Sequence, residues 1–199
     1  MKIATAQYPI GYFANLEEWK TNIREWVATS ADAQILVFPE YGSMEMASLF
    51  SEQIQKDLVG QIEKMNELLP EFLAHFSQIA SEFDKIILCP SYPVRENEGF
   101  VNRVFVVGPN GLAAYQDKFF MTRFEDEEWG ISSGQKKLIV FETQWGNFGI
   151  QTCYDLEFGI GSKLLCEAGA EVIFAPSCTE TLGGATRIHV GARARALEN

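Results

Sequence analysis

Short continuous apolar runs in this chain alternate with longer stretches in which apolar residues recur every three or four positions. That rhythm predicts strands interleaved with helices. From Lys2 to Tyr8, Ile3, Thr5 and Gln7 alternate with Ala4, Ala6 and Tyr8 until Pro9 and Gly11 intervene, so a first strand is expected there. Asn15 then opens a helix, with Glu18 three residues on in the reciprocal capping arrangement. Leu16, Trp19, Ile23, Trp26 and Val27 supply its apolar stripe. Ile35-Leu36-Val37-Phe38 is an unbroken apolar run, which suits a strand buried on both faces. Strand, helix and strand in this order predict a βαβ unit with a parallel pair.

The pattern continues in the same style. Ile54, Leu58, Ile62, Met65 and Leu69 mark a second helix that Pro70 should end or kink, and Phe72, Phe76, Ile79 and Phe83 carry a helical period beyond it. Lys85 to Pro90 is the next buried strand. Phe100 to Val107 and Leu112 to Asp117 flank Gly108-Pro109-Asn110-Gly111, a hairpin signature. Leu138 to Glu142 and Asn147 to Thr152 flank Trp145-Gly146 as a second hairpin. A helix over Gly161 to Ala168 closed by Gly169, a strand over Val172 to Pro176 and a final helix over Arg187 to Asn199 complete the reading. With no repeat, low-complexity tract or linker, the expectation is one mixed α/β domain over residues 1–199.

Composition narrows the function. The 199 residues carry 27 acidic against 16 basic side chains, a net charge of −11, which is unsuited to binding a nucleic-acid phosphate backbone. No apolar run approaches the ~18 residues of a membrane span, and the N-terminus has no secretory pattern. Cys89, Cys153, Cys166 and Cys178 lack zinc-knuckle spacing, so they are expected to be reduced thiols of a cytoplasmic protein. His75 and His189 are the only histidines, too few for a His-rich metal site; His75 is expected on a helix surface.

Three polar residues stand where strands end. Cys153 lies in Gln151-Thr152-Cys153-Tyr154-Asp155, where a strand-like run meets a turn before a helix. A nucleophile there is exposed, and the next amide can donate to an oxyanion. By itself a free cysteine is more often a small buried apolar residue. His189 could pair with it as in Cys-His hydrolases, although no local signature supports that. The other three cysteines lie in apolar runs and should react slowly. Glu40 follows Ile35-Leu36-Val37-Phe38-Pro39, at the carboxyl end of a buried strand where open α/β sheets hold ligands, or is a solvated loop acid. Lys118 ends the strand Leu112 to Asp117, where surface lysines are common.

Taken in order, Phe38-Pro39-Glu40-Tyr41-Gly42, Tyr115-Gln116-Asp117-Lys118-Phe119 and Thr152-Cys153-Tyr154-Asp155-Leu156-Glu157-Phe158 resemble the nitrilase superfamily of carbon–nitrogen hydrolases. Gly169-Ala170-Glu171 and Arg195-Ala196-Leu197-Glu198-Asn199 are similar to two further family segments. The resemblance implies a four-layer α-β-β-α sandwich. It also implies hydrolysis of a non-peptide carbon–nitrogen bond in a small amide-type substrate, with water as co-substrate and no metal or organic cofactor. Cys153 would be the nucleophile, Glu40 the general base, Lys118 and the Tyr154 amide the oxyanion stabilisers. Glu125, seven residues after Lys118, would orient the lysine, with Asp126 as its rival; an ammonium beside the sulfur would favour thiolate. The run Glu125-Asp126-Glu127-Glu128 also admits a metal reading or a solvated acidic turn. Nitrile or N-carbamoyl hydrolysis, and a non-catalytic binding or assembly protein that keeps the fold, are the alternatives. The sequence departs from the family at Gly159-Ile160-Gly161, where Pro-Glu is common, and ends at Asn199, short of the family's C-terminal strands. The domain is therefore expected to be incomplete at that end or to self-associate there, with a homodimer or higher homo-oligomer implied by the resemblance.

Overall fold

In a computed structural model, residues 1–30, 32–97 and 99–199 are described. The first βαβ unit forms as its pattern requires. Strand β1 (Ile3–Thr5) pairs in parallel with β2 (Ile35–Val37), and helix α1 (Leu16–Thr29) crosses between them. Asn15 caps α1 by accepting from the Glu18 amide at 3.0 Å, and the Glu18 carboxylate returns to the Ala14 amide at 3.0 Å. β3 (Ile86–Leu88) continues the parallel run, and β5 (Gly99–Gly108) joins it antiparallel. β6 (Gly111–Asp117) returns from β5 through Pro109-Asn110, with Gly111 at φ +100° in the tight turn. β4 (Tyr92–Glu96) and the short β7 (Ile131–Ser132) also pair with β5, giving a seven-stranded sheet. β4 escaped the sequence reading because Pro93 and two charged residues interrupt its apolar pattern.

The second sheet has three strands. β8 (Phe141–Thr143) and β9 (Gly146–Ile150) form the expected second hairpin, and β10 (Val172–Phe174) adds in parallel to β9. Alternation along β2 and the residue after it sends Leu36 and Phe38 toward α1 and α3 (Leu58–Glu82), while Ile35 and Val37 meet Phe141, Phe148, Ile150 and Phe174 of the second sheet. On the far side of the second sheet α5 (Gly159–Glu167) packs Leu165 so tightly on Gly149 that an added Cβ would lie 2.8 Å from its methyls. Helices, sheet, sheet and helices make the four-layer α-β-β-α sandwich implied by the resemblance.

Pro70 neither ends nor divides its helix. α3 runs unbroken over Leu58–Glu82, capped by Asp57, and the separate short α2 is Glu52–Gln55. Ile62, Met65, Phe72, Phe76 and Ile79 keep one helical phase across the proline, so the shared buried face outweighs the ~3 kcal/mol that an interior proline costs. His75 is not on the surface. It is buried, with Nε2 2.9 Å from the Lys20 carbonyl and its ring 5.5 Å from Trp19, because α1 lies across that side of α3. The last helix, α6 (Leu182–Glu198), begins earlier than Arg187: Thr181 accepts from the Gly184 amide, and the Gly183-Gly184 pair had hidden the start. Among the described residues no helix is long and apolar enough to cross a membrane.

Candidate active site

Glu40, Lys118, Glu125 and Cys153 come from four separate segments and meet at one end of the sandwich, where they line a cavity of about 320 Å³. Glu40 follows the buried β2 by three residues and Lys118 directly follows β6, whose last two residues are buried, so both stand at the carboxyl ends of strands. Glu125 is fixed by α4 (Arg123–Glu127): Thr122 caps the helix, and its amide and hydroxyl both donate to Glu125 Oε2 at 2.9 Å. That cap decides between the two acidic candidates, because Glu125 turns inward and is buried while Asp126 is exposed. Among the described residues no cluster of side chains could hold a metal ion, so the acidic run here is one inward carboxylate with three exposed neighbours.

The charged groups are closely bonded. Lys118 Nζ donates to Glu40 Oε1 at 2.8 Å and to Glu125 Oε2 at 2.6 Å, with all three side chains at most 3% exposed. Asn102 of β5 donates from one amide nitrogen to Glu40 Oε1 at 3.0 Å and Glu125 Oε1 at 3.2 Å. Tyr41 donates its hydroxyl to Glu125 Oε1 at 2.7 Å, and the Cys178 amide donates to Glu40 Oε2 at 3.2 Å. Tyr41 takes a left-handed φ of 52°, a costly conformation for a non-glycine residue that aims the chain away from Glu40 while its ring returns to the site.

Cys153 has φ +48° at the head of a 3-10 turn, Cys153–Glu157, and its amide donates to the Pro176 carbonyl at 2.9 Å. Asp155 secures this turn to the lysine segment. Its carboxylate accepts from the Phe120 amide at 2.7 Å, the Phe119 amide at 3.1 Å and the Thr152 amide at 3.2 Å. Burial nevertheless pushes the Asp155 carboxyl up to about 6.

The electrostatics correct one expectation. Burial, and then the Glu40 charge, push the Cys153 thiol up to about 12 despite the Lys118 ammonium, so the resting sulfur is protonated. Burial also raises Glu40 above the ordinary carboxylate range, which the lysine only partly offsets, making it a stronger base than a free glutamate. Burial opposes the charge on Lys118, but Glu40 and Glu125 outweigh it and hold the ammonium. Burial works against Glu125 as well; the lysine, Thr122 and Tyr41 overcome it and keep this carboxyl below its usual value.

Cys178 departs from expectation too. It is exposed in the cavity wall, after β10 rather than inside an apolar run, and its carbonyl lies 3.7 Å from Cys153 Sγ. His189 is exposed on α6 and lines no part of the cavity, which removes the basis for a Cys-His pair. The sequence reading missed Asn102, Tyr41, Thr122 and Asp155 as supports of the site. Asn102 alone had a plain signal, as one of two polar residues in an otherwise apolar strand.

Comparison with known proteins bears on the family and the fold. The chain is 30% identical to the probable hydrolase YhcX of Bacillus subtilis over 201 residues, covering all of this chain and 38% of that protein. It is 25% identical to omega-amidase NIT2-B of Xenopus laevis over 181 residues, covering 86% of this chain and 61% of the relative. The chain thus spans less than two thirds of the length of these relatives. Among solved structures, Nit3 of Saccharomyces cerevisiae superposes with a TM-score of 0.78 at 24% identity, covering all of this chain and 72% of Nit3. An amidase of Nesterenkonia sp. AN1 superposes with a TM-score of 0.75 at 18% identity, covering all of this chain and 75% of that one. The carbon-nitrogen hydrolase family model matches residues 2–199, and the chain belongs to that family.

Proposed function

We propose that residues 1–199 belong to a single carbon–nitrogen hydrolase domain, incomplete at its C-terminal end, of an amidase that cleaves a small amide through an acyl-enzyme on Cys153. One observation carries this reading: a buried lysine held between two carboxylates within 2.8 Å forms the floor of the cavity that Cys153 lines. The omega-amidases and the Nesterenkonia amidase among its relatives favour an amide over a nitrile.

Glu40 takes the Cys153 proton as the sulfur attacks the amide carbon, so no free thiolate has to accumulate. Negative charge develops on the carbonyl oxygen, where Lys118 and the Tyr154 amide stabilise it. Glu40 then returns the proton to the departing nitrogen. The C–N bond breaks, ammonia or an amine leaves, and a thioester remains. Water, deprotonated by Glu40, attacks the thioester, and the carboxylic acid and the thiol are regenerated. Glu125 keeps the lysine charged and pointed at the oxyanion. The unpaired thiols suit a reducing cytoplasm. Exposed Ile160 and Leu164 on α5 and Val190 and Leu197 on α6 suit a homodimer built on this side.

Intact-protein mass spectrometry with a panel of small amides tests the mechanism. The expected result is an acyl adduct mapped to Cys153, longer-lived in Glu40→Gln, where water activation is lost. Turnover that persists in Cys153→Ser, or an adduct confined to Cys178, would sink it.

A further inference from the structure

The rim of the cavity has a charge balance that the hydrolytic chemistry does not require. Six charged side chains line the cavity: Glu40, Lys118, Glu125, Glu157, Glu180 and Arg187. Both cations are paired, the buried lysine twice and the exposed arginine through one nitrogen. Lys118 is bound to Glu40 and Glu125, a trio with a net charge of −1, and Arg187 Nε is 3.1 Å from Glu157 Oε1. Glu180 makes no ion pair among the described residues and is exposed at the mouth. Its charge reaches inward, since it helps burial and Glu40 to raise the Cys178 thiol. Among the described residues four carboxylates thus line the cavity against two cations, and Glu180 is the charged side chain there with no ion-pair partner.

A second observation points the same way. Tyr41, Phe124, Trp129 and Tyr154 line the same cavity, with Tyr41 and Trp129 packed edge to face at 5.9 Å and Phe124 56% exposed. Aromatic faces in a cavity with a surplus of carboxylates attract organic cations. The field of the whole chain, at net −11, also steers cations inward.

We infer that the substrate is an amide whose far end carries an ammonium or guanidinium group, received by Glu180 and the aromatic wall. This deepens the amidase reading and rests on it for the reacting end of the molecule. What separates this substrate from an acidic one is the charge surplus: among the described residues four carboxylates line the cavity against two cations, and a distal carboxylate would have to use the Nη groups of Arg187, whose Nε bonds Glu157, against that surplus.

Matched amides with one spacer test the inference: 5-aminopentanamide, hexanamide and adipamate end in an ammonium, a methyl group and a carboxylate. Affinities are measured by calorimetry on the Cys153→Ala protein, so that binding is read without turnover. The ammonium compound should bind best and the carboxylate worst, with roughly tenfold between them, shrinking in high salt. Glu180→Gln should bring the ammonium and methyl compounds within about twofold of each other, and Glu180→Lys should reverse the order. Equal or better binding of adipamate, an order unchanged by Glu180→Lys, or no binding of 5-aminopentanamide at millimolar concentration each overturns the inference. Turnover by the unmodified protein is scored separately. Binding in the expected order with no hydrolysis of any compound overturns the amidase reading alone, and hydrolysis with the opposite order overturns the charge preference alone.

Discussion

The two halves of the sandwich are built to different standards. On the seven-stranded side α3 buries seven residues, Ile62, Met65, Phe72, His75, Phe76, Ile79 and Ala80, against the sheet and α1. On the three-stranded side the 17-residue α6 buries only Gly191, which approaches the Leu156 carbonyl so closely that an added Cβ would lie 3.1 Å from it. The division runs through the active site. Glu40, Asn102 and Lys118 leave the strands of the deep core, while Cys153, Cys178, Glu157 and Glu180 lie on turns of the thin side. The groups that must hold charge out of water thus stand on the rigid half, where displacement is most expensive. The proposed nucleophile Cys153, with Glu180 at the mouth of the cavity, stands on the half with least to hold it.

The largest test of this contrast removes the lysine. Lys118→Ala should lower kcat at least 10²-fold, the usual loss when an oxyanion donor goes, and should cost about 3–5 kcal/mol of stability because two buried carboxylates lose their counter-charge. Adding Glu125→Gln should restore part of the stability and none of the activity. Urea unfolding beside an amide-hydrolysis assay reads both. Full stability in Lys118→Ala would mean that the trio is far wetter than its burial implies.

Packing gives the next test. Phe76→Ala should destabilise by about 3–5 kcal/mol, as expected for a fully buried ring in contact with Trp19, Phe38 and Phe72. Val190→Ala on the exposed face of α6 should stay within about 0.5 kcal/mol. Similar losses in denaturant melts would erase the distinction between the halves.

How much of this could be read from sequence follows the same division. The deep strands were legible because both of their faces are covered, leaving unbroken apolar runs such as Ile35 to Phe38. Glu40, the polar residue that follows such a run, stood out by contrast, whereas Lys118 follows the half-exposed β6 and was picked out by the family resemblance. Pro70 misled because a local rule was outweighed by a shared buried face that no local window reveals. His75 misled because its cover comes from another helix. The state of Cys153 was the least legible feature: the sequence brings an ammonium to the sulfur, but only the folded chain shows burial and Glu40 outweighing it.

That reversal yields a pH prediction. Alkylation requires the thiolate, and a thiol pushed up to about 12 is mostly protonated at every ordinary pH. The rate of iodoacetamide labelling at Cys153 should therefore climb about tenfold per pH unit from 7 to 10 without a plateau. Because the Glu40 charge is the second cause of the upward shift, Glu40→Gln should lower the thiol pKa and speed labelling at pH 8 several-fold. Peptide mapping keeps Cys153 distinct from the more exposed Cys178. A plateau below pH 9, or slower labelling in Glu40→Gln, would restore the lysine as the dominant neighbour.

The smallest expected effect on stability concerns the outer face of the thin side. Leu164 on α5 and Leu197 on α6 are 49% and 88% exposed, so neither supports the fold as it stands. Leu164→Ser with Leu197→Ser should change the unfolding free energy of the 199-residue chain by no more than about 0.5 kcal/mol per site. The same pair should weaken self-association if the proposed dimer uses this face, because apolar side chains in the middle of an interface dominate its binding energy. Analytical ultracentrifugation beside denaturant melts separates the two effects. A shift toward monomer at unchanged stability would mark the face as an interface. A parent chain that is already monomeric and unfolds cooperatively at tens of micromolar would break the proposal, and would make the thin half stable with its apolar face in water.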